Sequence, residues 1–113
     1  MEACPLSNMV LGYTKDLRSH PINYLMTRGV QFSINSDDPC FFGYEGVTLD
    51  YVYAVMAWTL TIRDLKKASL NGIKYSSVDK ATKDMLIKDV FEPKWKEWID
   101  WLNQQEVEAA NTQ

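Results

Sequence analysis

The segment Asn35-Ser36-Asp37-Asp38-Pro39 holds the densest chemistry in the sequence. It completes the run Val30-Gln31-Phe32-Ser33-Ile34-Asn35, in which apolar and polar side chains alternate strictly. Alternation at period two is the pattern of a half-buried β-strand. The two carboxylates therefore stand at the C-terminal end of a strand, the end at which parallel α/β folds bind ligands. Adjacent carboxylates there suit a metal ligand beside a second polar contact. An Asx-type turn leading into the proline accounts for the same residues without chemistry. Parity sets Gln31, Ser33, Asn35 and Asp37 on one face and Val30, Phe32 and Ile34 on the other. In a β/α barrel the apolar face would meet the outer helices and the polar face would point inward, with Asp37 at the mouth.

Other reactive groups are sparse. His20 is the chain's one histidine, beside Pro21 at the start of a helical pattern, where a capping or surface role competes with metal ligation. Cys4 and Cys40 lack C-x-x-C spacing and neighbouring bases, so they read as two separate, mostly buried thiols, with a disulfide as the alternative. Two Cys and one His cannot build a zinc finger or a disulfide framework. A Ca²⁺ or Mg²⁺ ion on Asp37, Asp38 and Glu45 is a further option, although their spacing does not follow an EF-hand loop.

The elements that must position these groups are mostly helical. Residues 1–12 carry Pro5, Ser7, Asn8 and Gly12 and read as a loop. Pro21 opens a helix that places Ile22, Leu25 and Met26 on one face and stops at Gly29. After the strand comes a Gly- and aromatic-rich loop, Cys40 to Gly46. A long helix is predicted from Thr48 to about Leu70, with Leu49, Val52, Met56 and Leu60 as its apolar face. Asn71-Gly72 ends or interrupts it. Another helix starts near Ser76 or Ser77 with Asp79 in its first turn, and Pro93 breaks or kinks it. Trp95, Trp98, Ile99 and Leu102 form an apolar stripe at helical spacing. Residues 103–113 read as a polar, frayed tail.

The 113 residues are one domain's worth of chain, 46% apolar and 24% charged, with 12% aromatics arguing against disorder. A net charge of −3 shows no basic surface for nucleic acid or anionic membrane. No apolar run is long enough to span a bilayer, and Met1-Glu2-Ala3-Cys4-Pro5 does not resemble a signal peptide. The predicted strand has no obvious partner, and a lone strand leaves its backbone groups unpaired. Its partners are expected outside these residues, in a larger chain or an oligomer.

Several segments also carry a resemblance. Glu2-Ala3-Cys4-Pro5-Leu6-Ser7-Asn8, Leu17-Arg18-Ser19-His20-Pro21, Ser36-Asp37-Asp38-Pro39, Ser69-Leu70-Asn71-Gly72-Ile73-Lys74-Tyr75-Ser76 and the run from Lys94-Trp95 to Ile99 resemble, in order, the closing motifs of the adenosine deaminases. Their wording is nearest to the secreted adenosine deaminase-related growth factor subfamily. Gly72 departs from the family, which often has serine there.

The resemblance implies an α/β fold. The chain would be the C-terminal fragment of a (β/α)8 TIM-type barrel, with the end of strand seven, a helix, strand eight and closing helices in residues 1–102. It also implies hydrolysis of adenosine or 2'-deoxyadenosine, adenosine giving inosine and ammonia. One Zn²⁺ would lower the pKa of a bound water so that hydroxide attacks the purine. By motif position, Asp37 corresponds to the zinc-ligating, catalytic aspartate that orients the water, and Asp38 to the residue bonding purine N7. Ser7 and Asn8 would support the loop. The family's remaining metal ligands and proton-transfer residues, among them an H-x-H pair, match nothing in this chain, which is therefore expected to be inactive alone. The subfamily implies an extracellular protein, and a homodimer of the full-length form stays open. The alternative is a non-catalytic fragment that docks on another chain through its sheet edge and the Trp95/Trp98 stripe.

Overall fold

The computed structural model describes residues 1–110, which divide into two compact units, 1–75 and the residues from Ser76 onward. In the first unit, Glu2–Ala3 forms β1 and Ser33–Ile34 forms β2. They run parallel, with Glu2 opposite Ser33 and Ala3 opposite Ile34. The pairing reaches beyond these pairs. The Met1 ammonium donates to the Gln31 carbonyl at 3.0 Å, Ser33 N–H to Met1 at 3.0 Å and Asn35 N–H to Ala3 at 2.8 Å. The strand expected to lack an internal partner thus has one, in a stretch read as loop. Among the described residues the sheet has only these two strands, and the chain is mostly helical; the closed barrel implied by the resemblance is not contained in them.

Residues read as loop also form α1 (Pro5–Val10). Pro5 in the first turn favours a helix, but no side chain of the preceding residue caps it. The buried Asp50 carboxylate supplies the cap instead, accepting Leu6 N–H at 3.1 Å. A cap 44 positions away in sequence leaves no local signal. A 3₁₀ turn at Leu17–Ser19 follows, capped by Asp16, which accepts Arg18 N–H at 2.9 Å. Next comes α2 (Ile22–Thr27), at the position the Pro21 and Gly29 signals predict. Gly29 takes a left-handed φ of 75° as the chain leaves the helix.

The expected long helix is two. α3 (Thr48–Trp58) stops at Thr59, whose φ of 52° is left-handed, and α4 (Ile62–Lys74) restarts behind Thr61. Thr61 and Asp64 form a reciprocal capping box, with Asp64 N–H bonded to the Thr61 hydroxyl and Thr61 N–H to the Asp64 carboxylate. α4 runs on through Asn71-Gly72. The buried face of α3 is Asp50, Ala54 and Trp58, whereas Leu49, Val52 and Met56 of the expected face are exposed.

The core assembles on the apolar face of β2, as parity predicts. Phe32 and Ile34 pack with Ile22, Ala54, Trp58 and Ala68. Trp58 donates its indole N–H to the Leu17 carbonyl at 2.8 Å and meets Phe32 edge-on. From α4, the buried Asn71 side chain donates to the Phe32 carbonyl at 2.7 Å. The sequence left His20 a surface alternative, but it is buried and caps α2: Nδ1 accepts Ile22 N–H at 3.1 Å while Nε2 meets the Asn8 side-chain oxygen at 2.8 Å. Both cysteines are free thiols, Cys4 half-buried and Cys40 exposed, so neither the disulfide nor a buried site for Cys40 is found.

The second unit contains α5 (Lys80–Met85), a π-helical stretch at Leu86–Phe91 and α6 (Glu92–Ala110). Asp79 caps α5, accepting Thr82 N–H at 3.0 Å. Pro93 neither stops nor separates the helices. A proline has no N–H for the carbonyl four residues back, and the wider turn before it, with Glu92 N–H bonded to the Ile87 carbonyl, carries the chain through. Phe91 stacks on Trp95, and Trp98 meets Trp95 at a tilt, along the helix. α6 continues through Asn103 to Ala110, where a tail was expected; residues 111–113 of that tail lie outside the described residues. No helix among the described residues is long and apolar enough to cross a membrane.

Two outcomes follow from this packing. Ile22→Ala should lower stability by about 2–4 kcal/mol, the usual cost of emptying a fully buried aliphatic site, read as a lower denaturant midpoint. Burial pushes the His20 pKa below its ordinary value, so the folded chain binds fewer protons there than the unfolded chain. The His20 contribution is then complete above about pH 6.5 and is lost as pH falls below it. Unfolding midpoints measured against pH should show that loss in the native chain and not in His20→Asn.

Candidate functional site

Parallel pairing puts the C-terminal ends of β1 and β2 side by side. From β1 the chain passes through Cys4 into α1; from β2 it passes through Asn35 and Ser36 to Asp37 and Asp38. Both aspartates are exposed. Asp37 holds a φ of 59°, a left-handed conformation that aspartate adopts more readily than most residues yet still sparingly. The fully buried Ser7 of α1 donates its hydroxyl to Asp37 Oδ2 at 2.7 Å. Beyond Asp37 the chain winds into a tight turn, with Phe41 and Phe42 N–H groups on the Asp38 carbonyl at 3.0 and 3.2 Å. This is a backbone turn through Pro39 and not the Asx-type turn weighed from sequence: the Asp38 carbonyl closes it, and the Asp37 carboxylate is bonded to Ser7.

Behind this turn lies Asp50, with no exposed surface. Its Oδ2 accepts the Tyr44 hydroxyl at 3.1 Å, and the same hydroxyl lies 3.1 Å from the Ser36 carbonyl. Burial pushes the Asp50 pKa up, and burial followed by the Asp50 charge pushes Tyr44 up to about 12. Cys4 is also held above the usual thiol range, first by burial and then by Asp37, Asp50 and Glu2. A thiol so placed stays protonated at neutral pH, which suits a packing role and not a nucleophile.

Asp37 and Asp38 therefore come together at the strand ends, with Ser7 supporting Asp37 and Asn8 bonded to His20. Among the described residues no three of the His, Cys, Asp and Glu side chains are placed to hold a metal ion. That removes the Ca²⁺ or Mg²⁺ site on Asp37, Asp38 and Glu45. A zinc site takes about three protein ligands, so these residues do not by themselves fit zinc. Asp50 and Tyr44 were missed in the sequence. The available signal was an acid at the first position of the Asp50–Ala54–Trp58 spacing, a charge where a helix turns its buried face.

The adenosine deaminase family pattern matches residues 1–93. The chain belongs to the adenosine deaminase family. Members are in general metal-dependent hydrolytic deaminases. Adenosine deaminase 2 of Dictyostelium discoideum is 34% identical over 102 residues, which cover 90% of this chain and 19% of that protein. Human adenosine deaminase 2 is 35% identical over 102 residues, 88% of this chain and 20% of that protein. The chain thus spans about a fifth of the length of these relatives. The crystal structure of adenine deaminase from Arthrobacter aurescens superposes with a TM-score of 0.71 at 27% identity, over 88% of this chain and 28% of that one. Ser7, Asp37, Asp38, Tyr44 and Asp50 all fall inside the family match.

If the Ser7 hydroxyl is what anchors Asp37, the two side chains should act as one unit. Ser7→Ala is expected to cost about 1–2 kcal/mol. Asp37→Gly removes the acceptor while suiting the left-handed backbone, and adding it to Ser7→Ala should cost less than the sum of the two. Denaturant melts of the two single variants and the double variant check this; strict additivity would count against the coupling.

Proposed function

We propose that residues 1–102 supply the last-strand part of a zinc-dependent site that hydrolyses adenosine or 2'-deoxyadenosine to the inosine form and ammonia. In this reading Asp37 presents the carboxylate that ligates the metal and orients the attacking water, and Asp38 hydrogen-bonds purine N7. The observation that carries it is Asp37, exposed at the joined ends of two parallel strands and fixed there by Ser7, in a chain of this family. The relatives named adenosine deaminase 2 support adenosine over the free base. The same likeness supports an extracellular protein. The other metal ligands and the proton-transfer groups come from protein beyond these residues, so the 113-residue chain alone is expected to hold no stoichiometric zinc and to turn over no adenosine.

Two measurements test this. Metal analysis and an adenosine assay on the purified chain should both read blank; turnover that survives removal of contaminating enzyme would overturn the claim of inactivity. Residues 1–102 should also replace the matching segment of the Dictyostelium enzyme. The chimera should convert adenosine to inosine, lose both zinc and turnover with Asp37→Ala, and lose affinity for substrate with Asp38→Ala. A chimera indifferent to Asp37→Ala would refute the assigned role.

A further inference from the structure

Asp50 is a carboxyl group with no exposed surface in the first unit's interior, and the reaction proposed above makes no use of it. A buried carboxyl is costly unless it is hydrogen-bonded, and this one is, along two arms. Through Oδ1 it holds the N–H of Leu6 at 3.1 Å, and the next residue, Ser7, gives its hydroxyl to Asp37 Oδ2 at 2.7 Å. Through Oδ2 it meets the Tyr44 hydroxyl at 3.1 Å, which also lies 3.1 Å from the carbonyl of Ser36, the residue before Asp37. The arms leave Asp50 from its two carboxyl oxygens and meet at Asp37. The start of α1 is thereby closed into one ring with the turn after β2 and the first turn of α3, some thirty or more residues further along the chain.

We propose that Asp50 is a positioning residue for the Asp37 carboxylate, acting through Leu6 and Ser7 on its side chain and through Tyr44 and Ser36 on its backbone. The proposal rests on the reading of Asp37 as a metal-site carboxylate and adds what holds it in place.

The geometry of Asp37 calls for such a device. Its side chain is exposed, so no core packing fixes it, and its left-handed backbone is one that an unpinned aspartate leaves readily. A ligand carboxylate works only when held to within about 0.5 Å, which takes a second layer of fixed partners. The proton count agrees with the ring. The Tyr44 hydroxyl has one hydrogen and two acceptors at equal distance. That hydrogen is shared between Asp50 Oδ2 and the Ser36 carbonyl, while Asp50 Oδ1 accepts from Leu6, so both oxygens of the buried carboxyl are engaged. Tyr44 feels the charges of Asp50, Cys4 and Asp37, and Glu2 acts on Cys4 beside them. Asparagine keeps both arms: its oxygen accepts from Leu6, and its amide donates to the Tyr44 oxygen, whose hydrogen then goes to Ser36. Leucine fills the space and cuts both arms.

The test reads the Asp37 backbone directly, in the full isotope-labelled chain without metal. A residue with positive φ gives an unusually strong contact between its own amide and α protons by NMR. Wild type and Asp50→Asn should show it at Asp37; Asp50→Leu should lose it. Tyr44→Phe, which removes one hydroxyl and leaves the packing, should weaken it, and carries the test if Asp50→Leu does not fold. Ile22→Val serves as a control, destabilised at a site outside the ring, and should leave the signal unchanged. A folded Asp50→Leu or Tyr44→Phe chain with the full signal would overturn the proposal, as would its absence from wild type or an equal loss in the Ile22→Val control. Because no metal is involved, this outcome is independent of the chimera. A ring that behaves as stated beside a chimera indifferent to Asp37→Ala would discard the metal-site reading and keep the positioning.

Discussion

The direction of one short ladder decides where everything else in residues 1–75 stands. Because β1 and β2 are parallel, their C-terminal ends point the same way, and Ser7 after one reaches Asp37 after the other. An antiparallel pair would put these residues at opposite ends of the sheet. Parallel strands also cannot be joined by a tight turn and need a crossover of a dozen or more residues. The stretch between the strands meets that need with α1, the 3₁₀ turn and α2, and α2 contributes Ile22, a fully buried member of the core. A ladder this short cannot be stable by its own hydrogen bonds. It is held by Phe32 and Ile34 packing against Trp58, Ala54 and Ala68, and by Asn71, whose side chain takes the Phe32 carbonyl.

The legibility of the fold follows how local each determinant is. The alternation at residues 30–35, the Pro21 and Gly29 boundaries of α2 and the Asp79 cap are written within a few residues of where they act; the boundaries and the cap appear as expected, and the strand appears shortened to Ser33–Ile34. α1 and β1 are different. β1 is two residues, too short for any periodicity, and α1 is capped by a carboxylate from α3. The split between α3 and α4 was readable, since Thr61-Ile62-Arg63-Asp64 is a capping-box spacing, but it sits inside an apolar stretch that reads as one helix. The face of α3 was misassigned because the largest apolar residues were counted. Burial goes instead to Asp50, Ala54 and Trp58, where a small side chain lets the helix approach, the indole has a carbonyl partner and the carboxyl has two donors.

The site was partly legible for the same reason. Asp37 and Asp38 are adjacent and end a strand, so type and spacing mark them without any fold. Their supports come from elsewhere in the chain, and nothing near Asp37 in sequence announces Ser7, Tyr44 or Asp50. A strand-end carboxylate presented on a strained turn is a pattern that sequence can supply, whereas the partners that hold it are assembled only by tertiary structure.

His20 shows why a residue type alone is weak evidence for a metal. It is the chain's one histidine, and zinc favours histidine nitrogen. Yet both ring nitrogens are engaged, one on Asn8 and one on the Ile22 amide, and the ring lies buried against Trp58. Ligation would have to break a helix cap or a buried side-chain bond and bring a charged ion into the core. Asp37 is the opposite case. Its carboxylate is exposed and its partner is a neutral hydroxyl that leaves one oxygen for another ligand. Of the two, only the aspartate keeps a carboxylate oxygen outside the packing of the fold, and one such group falls short of the number of ligands zinc requires.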